Sequence, residues 1–541
     1  MTHCGNGLPG LGNAPNNTAS RPERSRVNTL ETRVLIIGGG ATGTGLARDL
    51  ALRGVACTLV DQGDLNAGAS GANHGLLHSG ARYVAGDAES ATHCRKEGLI
   101  LRKLARHCLE DTQGLFVAIE GDDENYIADF PAMCARCDIP ARSVDLQEAR
   151  ELEPLLSSAL IAAYEVPDAT IDPFKLALEN MTQATSLGST LLTHSKVVGF
   201  ELADGRIETV RVASLRDGQE TKVRAEQVVN AAGAWSGHIA GFAGIAIDIL
   251  FSKGTLLITQ KRATQRVVNR LRKPANADII VPGGTVSVLG TTSIRVDSLD
   301  DIAPTVPEVD LIIDEASAMV PSFASARILR AYAGVRPLVR QGGAGSDDRS
   351  VSRDLTLLDH REHGVDNFIT ITGGKLTTYR HMAEKAADLV CEHLGVDEPC
   401  RTRIDPLPES CRWTVPGLAP QVWMQQRDPR DLLLCECEMV PQSAVDHIVG
   451  TLRDPSRTPA LKEIGLRSRV GKGSCQGCFC SLRVLTHLYR TDHVRADDGL
   501  DHLKAFVNER WKGEQAVLFG TQLEQAELDE ALHCALLGLE L

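Results

Sequence analysis

Two groups of residues in this chain have the types and spacing for redox chemistry, and they lie far apart. Near the start, Val34-Leu35-Ile36-Ile37 runs into Gly38-x-Gly40-x-x-Gly43. Near the end, Cys435-x-Cys437 is followed, thirty-seven residues on, by Cys475, Cys478 and Cys480 in the stretch Gly473-Ser474-Cys475-Gln476-Gly477-Cys478-Phe479-Cys480. In the first group, Gly38 permits a sharp strand-to-helix turn, Gly40 lets backbone approach a pyrophosphate, and Gly43 lets the helix lie close to the strand. A helix that starts there offers free N–H groups and a positive dipole end to phosphates. Asp61 is spaced to accept hydrogen bonds from an adenosine ribose and to disfavour a 2′-phosphate. In the second group, four thiolates satisfy an iron–sulfur cluster, and four thiolates equally suit zinc. A chain owning both sites is expected to take electrons in pairs and release them singly.

Those glycines work only if a β-α-β unit carries them. Arg33–Ile37 reads as a buried strand, Thr42–Arg53 as a helix with Leu46, Ala47, Leu50 and Ala51 at helical spacing, and Val55–Val60 as the next strand. The pattern predicts a parallel, doubly wound sheet. Val228–Ala232 is a further strand ending in a turn at Gly233, and Phe368–Thr372 another, closed by Gly373-Gly374. A helix over Thr377–Leu394 follows, with Tyr379, Met382, Ala383, Ala386 and Val390 on one face and Gly395 as its stop. The turn Thr372-Gly373-Gly374-Lys375 before a helix can aim N–H groups and a dipole at the N1–C2=O edge of a flavin, which favours FAD over NAD. Taken alone, that turn reads better as an ordinary left-handed one. Ser481–Tyr489 predicts a helix beside the second cysteine group. Cys134-x-x-Cys137 has no partner pair and reads as packing.

At 541 residues the chain predicts two to four domains, and its 43% apolar content supplies large cores. A net charge of −13 excludes a general nucleic-acid binder, so an anionic substrate would need locally clustered arginines. No apolar run reaches the roughly 18 residues of a membrane span. The first thirty residues lack a signal-peptide core and read as a disordered extension. Fifteen cysteines in a chain this long read as reduced thiols or metal ligands in the cytoplasm, with any membrane contact made through partners. The expected class is α/β: an FAD-binding Rossmann-type doubly wound sheet with a mixed-sheet substrate domain, plus a small C-terminal helical iron–sulfur domain. The expected division is extension 1–30, oxidoreductase 31–396 with its two subdomains interleaved, linker 397–430, cluster domain 431–490 and helical segment 491–541.

The segment Ser70-Gly-Ala-Asn-His-Gly-Leu-Leu-His-Ser-Gly-Ala-Arg-Tyr83 resembles the flavin and substrate segment of FAD-dependent glycerol-3-phosphate dehydrogenases. So do Ala331-Tyr-Ala-Gly-Val-Arg-Pro-Leu338, Val351-Ser-Arg-Asp354 and Ile371-Thr-Gly-Gly-Lys-Leu-Thr-Thr-Tyr-Arg380. With the C-terminal cysteines, the set is similar to the flavin-bearing chains of the anaerobic complexes of that family, over roughly Thr32 to Gly513. The resemblance implies oxidation of sn-glycerol 3-phosphate to dihydroxyacetone phosphate, FAD as hydride acceptor, and electrons sent towards quinone. It implies B and C subunits, the latter holding the complex peripherally at the inner face of the cell membrane.

For such a substrate, Arg336 and Arg353 lie in matching positions to fork a phosphate, with Arg82 beside them. His78 and Lys375 are the candidate bases for the C2 hydroxyl proton. Histidine has the suitable ordinary pKa, whereas lysine needs burial or positive neighbours to be neutral. Tyr83 and Thr378 can orient substrate oxygens. Ser70, Gly233, Gly373 and Gly374 join Gly38, Gly40, Gly43 and Asp61 in the cofactor set, and FAD is expected to be held non-covalently.

The cysteine segments resemble [2Fe–2S] domains of the bacterioferritin-associated ferredoxin type. Cys435, Cys437 and Cys475 are common to both patterns of that type. The fourth ligand is Cys480 by the Cys-Gln-Gly-x-x-Cys pattern of related flavin oxidoreductases, or Cys478 by the Cys-x-x-Cys pattern of free-standing domains, and Cys480 is preferred. Two other readings compete: an FAD-dependent amine or amino-acid dehydrogenase, and an electron-transfer or iron-handling protein with a vestigial flavin site.

Overall fold

The computed structural model describes residues 28–300, 302–340, 355–410, 425, 428–452, 458–495 and 498–540. Its first unit is β1 (Asn28–Ile37), α1 (Ala41–Leu52) and β2 (Cys57–Val60), with β1 starting three residues ahead of the expected domain edge. β1 and β2 run parallel, Val34 opposite Cys57 and Ile37 opposite Val60. On its other side β1 pairs in parallel with the strand Glu220–Asn230. Val34, Leu35 and Ile36 are wholly buried, as a strand covered on both faces requires. On one face, α1 packs between the helices Pro173–Ser186 and Tyr379–Leu394, where Leu46, Ala47 and Leu50 join Ile36, Leu59, Met382 and Ala386. On the other face Leu35 and Ile37 meet Val210, Val228 and Ile239.

The strand Glu220–Asn230 has a second parallel partner, Phe368–Gly373, at its C-terminal end. Four of the sheet's five parallel strands, β1, β2, Glu220–Asn230 and Phe368–Gly373, therefore end at one edge in the turns that matter here. The turns at Gly38, Asp61, Gly233 and Gly373 follow them, and this edge is where ligands of doubly wound sheets bind.

A second, nine-stranded mixed sheet is built around the antiparallel pair Ile249–Thr259 and Ile328–Val339. The helix Val306–Met319 covers one face, packing Val309 and Ile312 on Leu257 and Ala331. Side chains alternate along a strand, so Tyr332, Gly334 and Arg336 face away from that helix and towards the first sheet. There Tyr332 donates its hydroxyl to the Asn73 carbonyl at 3.0 Å, and a β-carbon on Gly334 would come within 2.6 Å of Ala72.

The C-terminal region has its own core, in which Val445, Ile448, Ile464, Val484, Leu488, Leu503 and Phe506 are buried together. It docks on the first sheet through an ion pair and on the second through a hydrogen bond. Arg467 meets Asp64 at 2.6 Å, and Arg469 meets Glu438 at 2.7 Å while Glu438 accepts from Thr285 at 2.9 Å. Lys472 stands 3.9 Å above the Phe174 ring. Ahead of this region, the described part of the expected linker lies along the first domain, with Arg48 donating to the Asp405 carbonyl at 2.6 Å. No helix among the described residues is long and apolar enough to cross a membrane.

Candidate functional site: a flavin cavity and a thiol cradle

A cavity of about 1580 Å³ opens between the two sheets. Its floor is the glycine turn. Gly38 has φ +116, and a β-carbon there would stand 2.5 Å from the Ala231 carbonyl oxygen. A β-carbon on Gly43 would come within 1.9 Å of the Gly38 oxygen, so Gly43 acts by letting α1 touch the turn and does not itself line the cavity. Gly40 lies against Ser70, whose hydroxyl accepts from the Ala41 N–H at 3.0 Å at the start of α1. Asp61 accepts from Gly39 at 2.6 Å and Gly63 at 2.7 Å. Burial pushes its carboxyl up, and those two N–H bonds oppose the shift. At the far end Gly233 meets the second glycine turn, since Thr372 donates to the Gly233 carbonyl at 3.2 Å. A β-carbon on Gly374 would stand 2.2 Å from the Met382 sulfur. These positions leave bare backbone where a dinucleotide needs it, so the residues fit FAD.

Over this floor stand the polar side chains. His78, Tyr83 and Lys375 form one corner. The His78 and Tyr83 rings are 5.1 Å apart, Lys375 Nζ lies 4.9 Å from the Tyr83 ring centre, and Lys375 donates to the Ser90 hydroxyl at 2.9 Å. Ser90 sits on the helix Ala88–Leu104, which a buried Arg380–Glu97 pair at 2.6 Å ties to the helix following Lys375. Arg336, Arg82 and His74 line the cavity as well. Arg336 donates to the Thr292 carbonyl at 3.2 Å and the Thr291 hydroxyl at 3.0 Å. Its guanidinium lies where a β-carbon on Gly254 would be, 2.4 Å away, so Gly254 makes its room. Arg82 pairs with Asp278 at 3.0 Å. Burial, with Arg336 and Arg82 adding to it, pushes the His74 imidazole down to about 3.

Not every expected residue lies in the cavity. Thr378 does not line it: its hydroxyl accepts from the Lys375 N–H at 3.2 Å, closing the turn, so it steadies Lys375 instead of meeting a substrate. Arg353 lies outside the described residues. Sequence reasoning missed His74, Ser90, Thr291 and Thr292. Only His74 carried a signal, as a second histidine in the segment that holds His78.

The second site is a cradle of thiols. Cys435 touches Cys480, and Cys475 touches both Cys480 and Cys437. Hydrogen bonds from Cys437 and Cys480 hold the Cys475 thiol far below its usual range, and the same contacts push Cys437 and Cys480 up. Backbone N–H groups of Glu438 and Gly471 point at Cys435, and those of Gly477 and Phe479 at Cys475. Cys478 faces elsewhere, bonded to Asp529. Among the described residues no group of three or more such side chains takes up metal-ion geometry. The donor set, four adjacent thiols with N–H groups aimed at the sulfurs, is one that an iron–sulfur cluster or a zinc ion can use. Cys134 and Cys137 are buried beside Phe130 and Ile139, and burial raises the Cys134 thiol to about 12.

The profile of FAD dependent oxidoreductases matches residues 33–389. Over 533 residues the chain is 44% identical to the A subunit of the anaerobic glycerol-3-phosphate dehydrogenase of Escherichia coli (strain K12), covering 94% of this chain and 97% of that one. The chain belongs to this family. In fold it is similar to the glycerol-3-phosphate dehydrogenase from Bacillus halodurans complexed with FAD, at TM-score 0.62 and 21% identity, over 91% of this chain and 96% of that one. It is also similar to glycine oxidase from Geobacillus kaustophilus, at TM-score 0.55 and 19% identity, over 70% of this chain and 99% of that one. The fold is thus shared by proteins named for a phosphate ester and for an amino acid, so the fold alone does not fix the substrate.

Proposed function

We propose that the chain oxidises sn-glycerol 3-phosphate to dihydroxyacetone phosphate and passes the electrons to partner B and C subunits and thence to quinone at the membrane. When bound, FAD supplies the acceptor for the C2 hydride, and a [2Fe–2S] cluster held by Cys435, Cys437, Cys475 and Cys480 supplies a one-electron relay. Arg336 and Arg82, with Arg353, hold the phosphate by charge-assisted forks. His78 takes the proton from the C2 hydroxyl. Lys375 is the less suited base, because its Nζ already donates to the Ser90 hydroxyl and lies over the Tyr83 ring. Lys375 instead steadies the substrate oxygen as negative charge grows on it, and Tyr83 packs between the two.

The observation that carries this reading is the meeting of Arg336, Arg82, His78 and Lys375 in the cavity that the two glycine turns floor. An amine dehydrogenase would place a carboxylate clamp there without need of a phosphate site. Anaerobic titration tests it. Glycerol 3-phosphate is expected to bleach the flavin absorbance and glycine or proline to leave it, and the reverse result sinks the proposal. The isolated chain is further expected to reduce quinone poorly until its partners are added.

A further inference from the structure

The helix Asp498–Glu514 stands outside both cysteine loops in sequence, yet its side chains reach the cradle. The Phe506 ring is pressed on two glycines: a β-carbon on Gly471 or Gly477 would stand 2.5 or 2.4 Å from it. The N–H groups of those same glycines point at the Cys435 and Cys475 sulfurs. One turn on, the Arg510 guanidinium lies 5.3 Å from the Phe506 ring centre, and its terminal nitrogen is 3.4 Å from where a β-carbon on Gly471 would stand. Arg330 is its neighbour, packed so tightly under Gly513 that a β-carbon there would come within 2.8 Å of Arg330 Nε. The Nε atoms of Arg330 and Arg510 are both buried with no hydrogen-bond partner among the described residues.

Two adjacent guanidinium ions repel, most strongly where water is thin, and Glu509 and Glu514 are the acidic groups that offset both of them. A four-thiolate [2Fe–2S] cluster is an anion in both oxidation states, and more so when reduced. We propose that Arg510, backed by Arg330, is the positive charge that balances this cluster, and that Phe506 holds the Gly471 and Gly477 N–H groups on its sulfurs. All three are positioning residues. Net charge and hydrogen bonds to sulfur set cluster potentials, and a nearby cation stabilises the reduced form, so Arg510 raises the potential and eases transfer out of the flavin.

The inference rests on the cluster assignment above, and one experiment separates the two. Full-length wild type, Arg510→Gln, Arg510→Lys and Phe506→Leu are purified without air, then assayed for iron, flavin and cluster midpoint potential by EPR-monitored redox titration. Wild type with flavin but no iron ends the cluster assignment itself. With iron present, Arg510→Gln is expected to shift the midpoint to more negative potential, and Arg510→Lys to restore most of it. Phe506→Leu is expected to keep the charge but lose iron to a chelator several-fold faster. An unchanged potential in Arg510→Gln overturns the inference while the cluster stands. If Arg510→Gln arrives without iron, retention by Arg510→Lys supports the charge role, and equal loss in both overturns it.

Discussion

In the flavin cavity the working side chains arrive from segments scattered between Gly38 and Lys375, whereas the cradle draws its four thiols from two short loops, Cys435–Cys437 and Cys475–Cys480. The cavity is floored by strand ends of a parallel sheet whose core is buried from both faces, and each group is fixed by a different element. The cradle has no such frame: its strands Leu433–Cys435 and Val440–Pro441 are short, and its shape comes from helices packed behind the loops. A site built on many elements is expected to lose one function at a time when a residue is changed. A site of two loops is expected to fail as a unit.

The sharpest test of that contrast is Cys475→Ser, which removes a thiol touching two others. Iron and electron delivery to partners are expected to vanish while substrate still bleaches the flavin, as anaerobic spectra and iron analysis would read. Zinc with no iron in the wild type would break the comparison, leaving the cradle structural. Next comes His78→Ala. Flavin reduction by substrate is expected to slow by about 10²–10⁴-fold, the worth of a positioned base, with binding little changed. If Lys375→Ala gives that pattern instead, the base is Lys375.

Arg336→Ala should follow, weakening substrate binding by roughly 10- to 150-fold for a lost charged hydrogen bond of about 1.5–3 kcal/mol, at unchanged flavin content. The last test reads stability and not turnover, at His74. Its folded pKa is depressed to about 3, so its neutral form is the one the fold prefers. That contribution is fully present above the ordinary histidine pKa of about 6.5 and fades as pH falls towards 3. Replacing His74 by Gln should flatten this part of the acid-stability curve, measured by denaturant unfolding between those limits.

The same contrast governs what could be read from sequence. Gly38, Gly43 and Gly374 were legible because bare backbone is demanded at those places, and few residues supply it. The helix after Lys375 was legible from its apolar spacing, with Gly395 at φ +65 as its stop. Arg336 was not readable from spacing, because its use depends on which face of a strand meets the other sheet; only the family resemblance singled it out. Thr378 misled, since a hydroxyl closing a turn and one facing a substrate look the same in sequence. Nothing in the cysteine spacing pointed to Phe506 or Arg510, which reach the cradle through the folding of a later helix.

The strand Ile328–Val339 carries Arg330 beside the cradle's helix and Arg336 in the flavin cavity, with Tyr332 and Gly334 seated on Asn73 and Ala72 between them. At about 3.3 Å per residue, six residues amount to about 20 Å of extended chain. Because this strand is zipped along its length to Ile249–Thr259, it works as a ruler. The spacing between the flavin cavity and the thiol cradle is written in backbone pairing, so it does not depend on a hinge closing. A one-residue insertion between Tyr332 and Arg336 would do more than lengthen the ruler, because it would turn Arg336 to the opposite face and take its guanidinium out of the cavity in a single step.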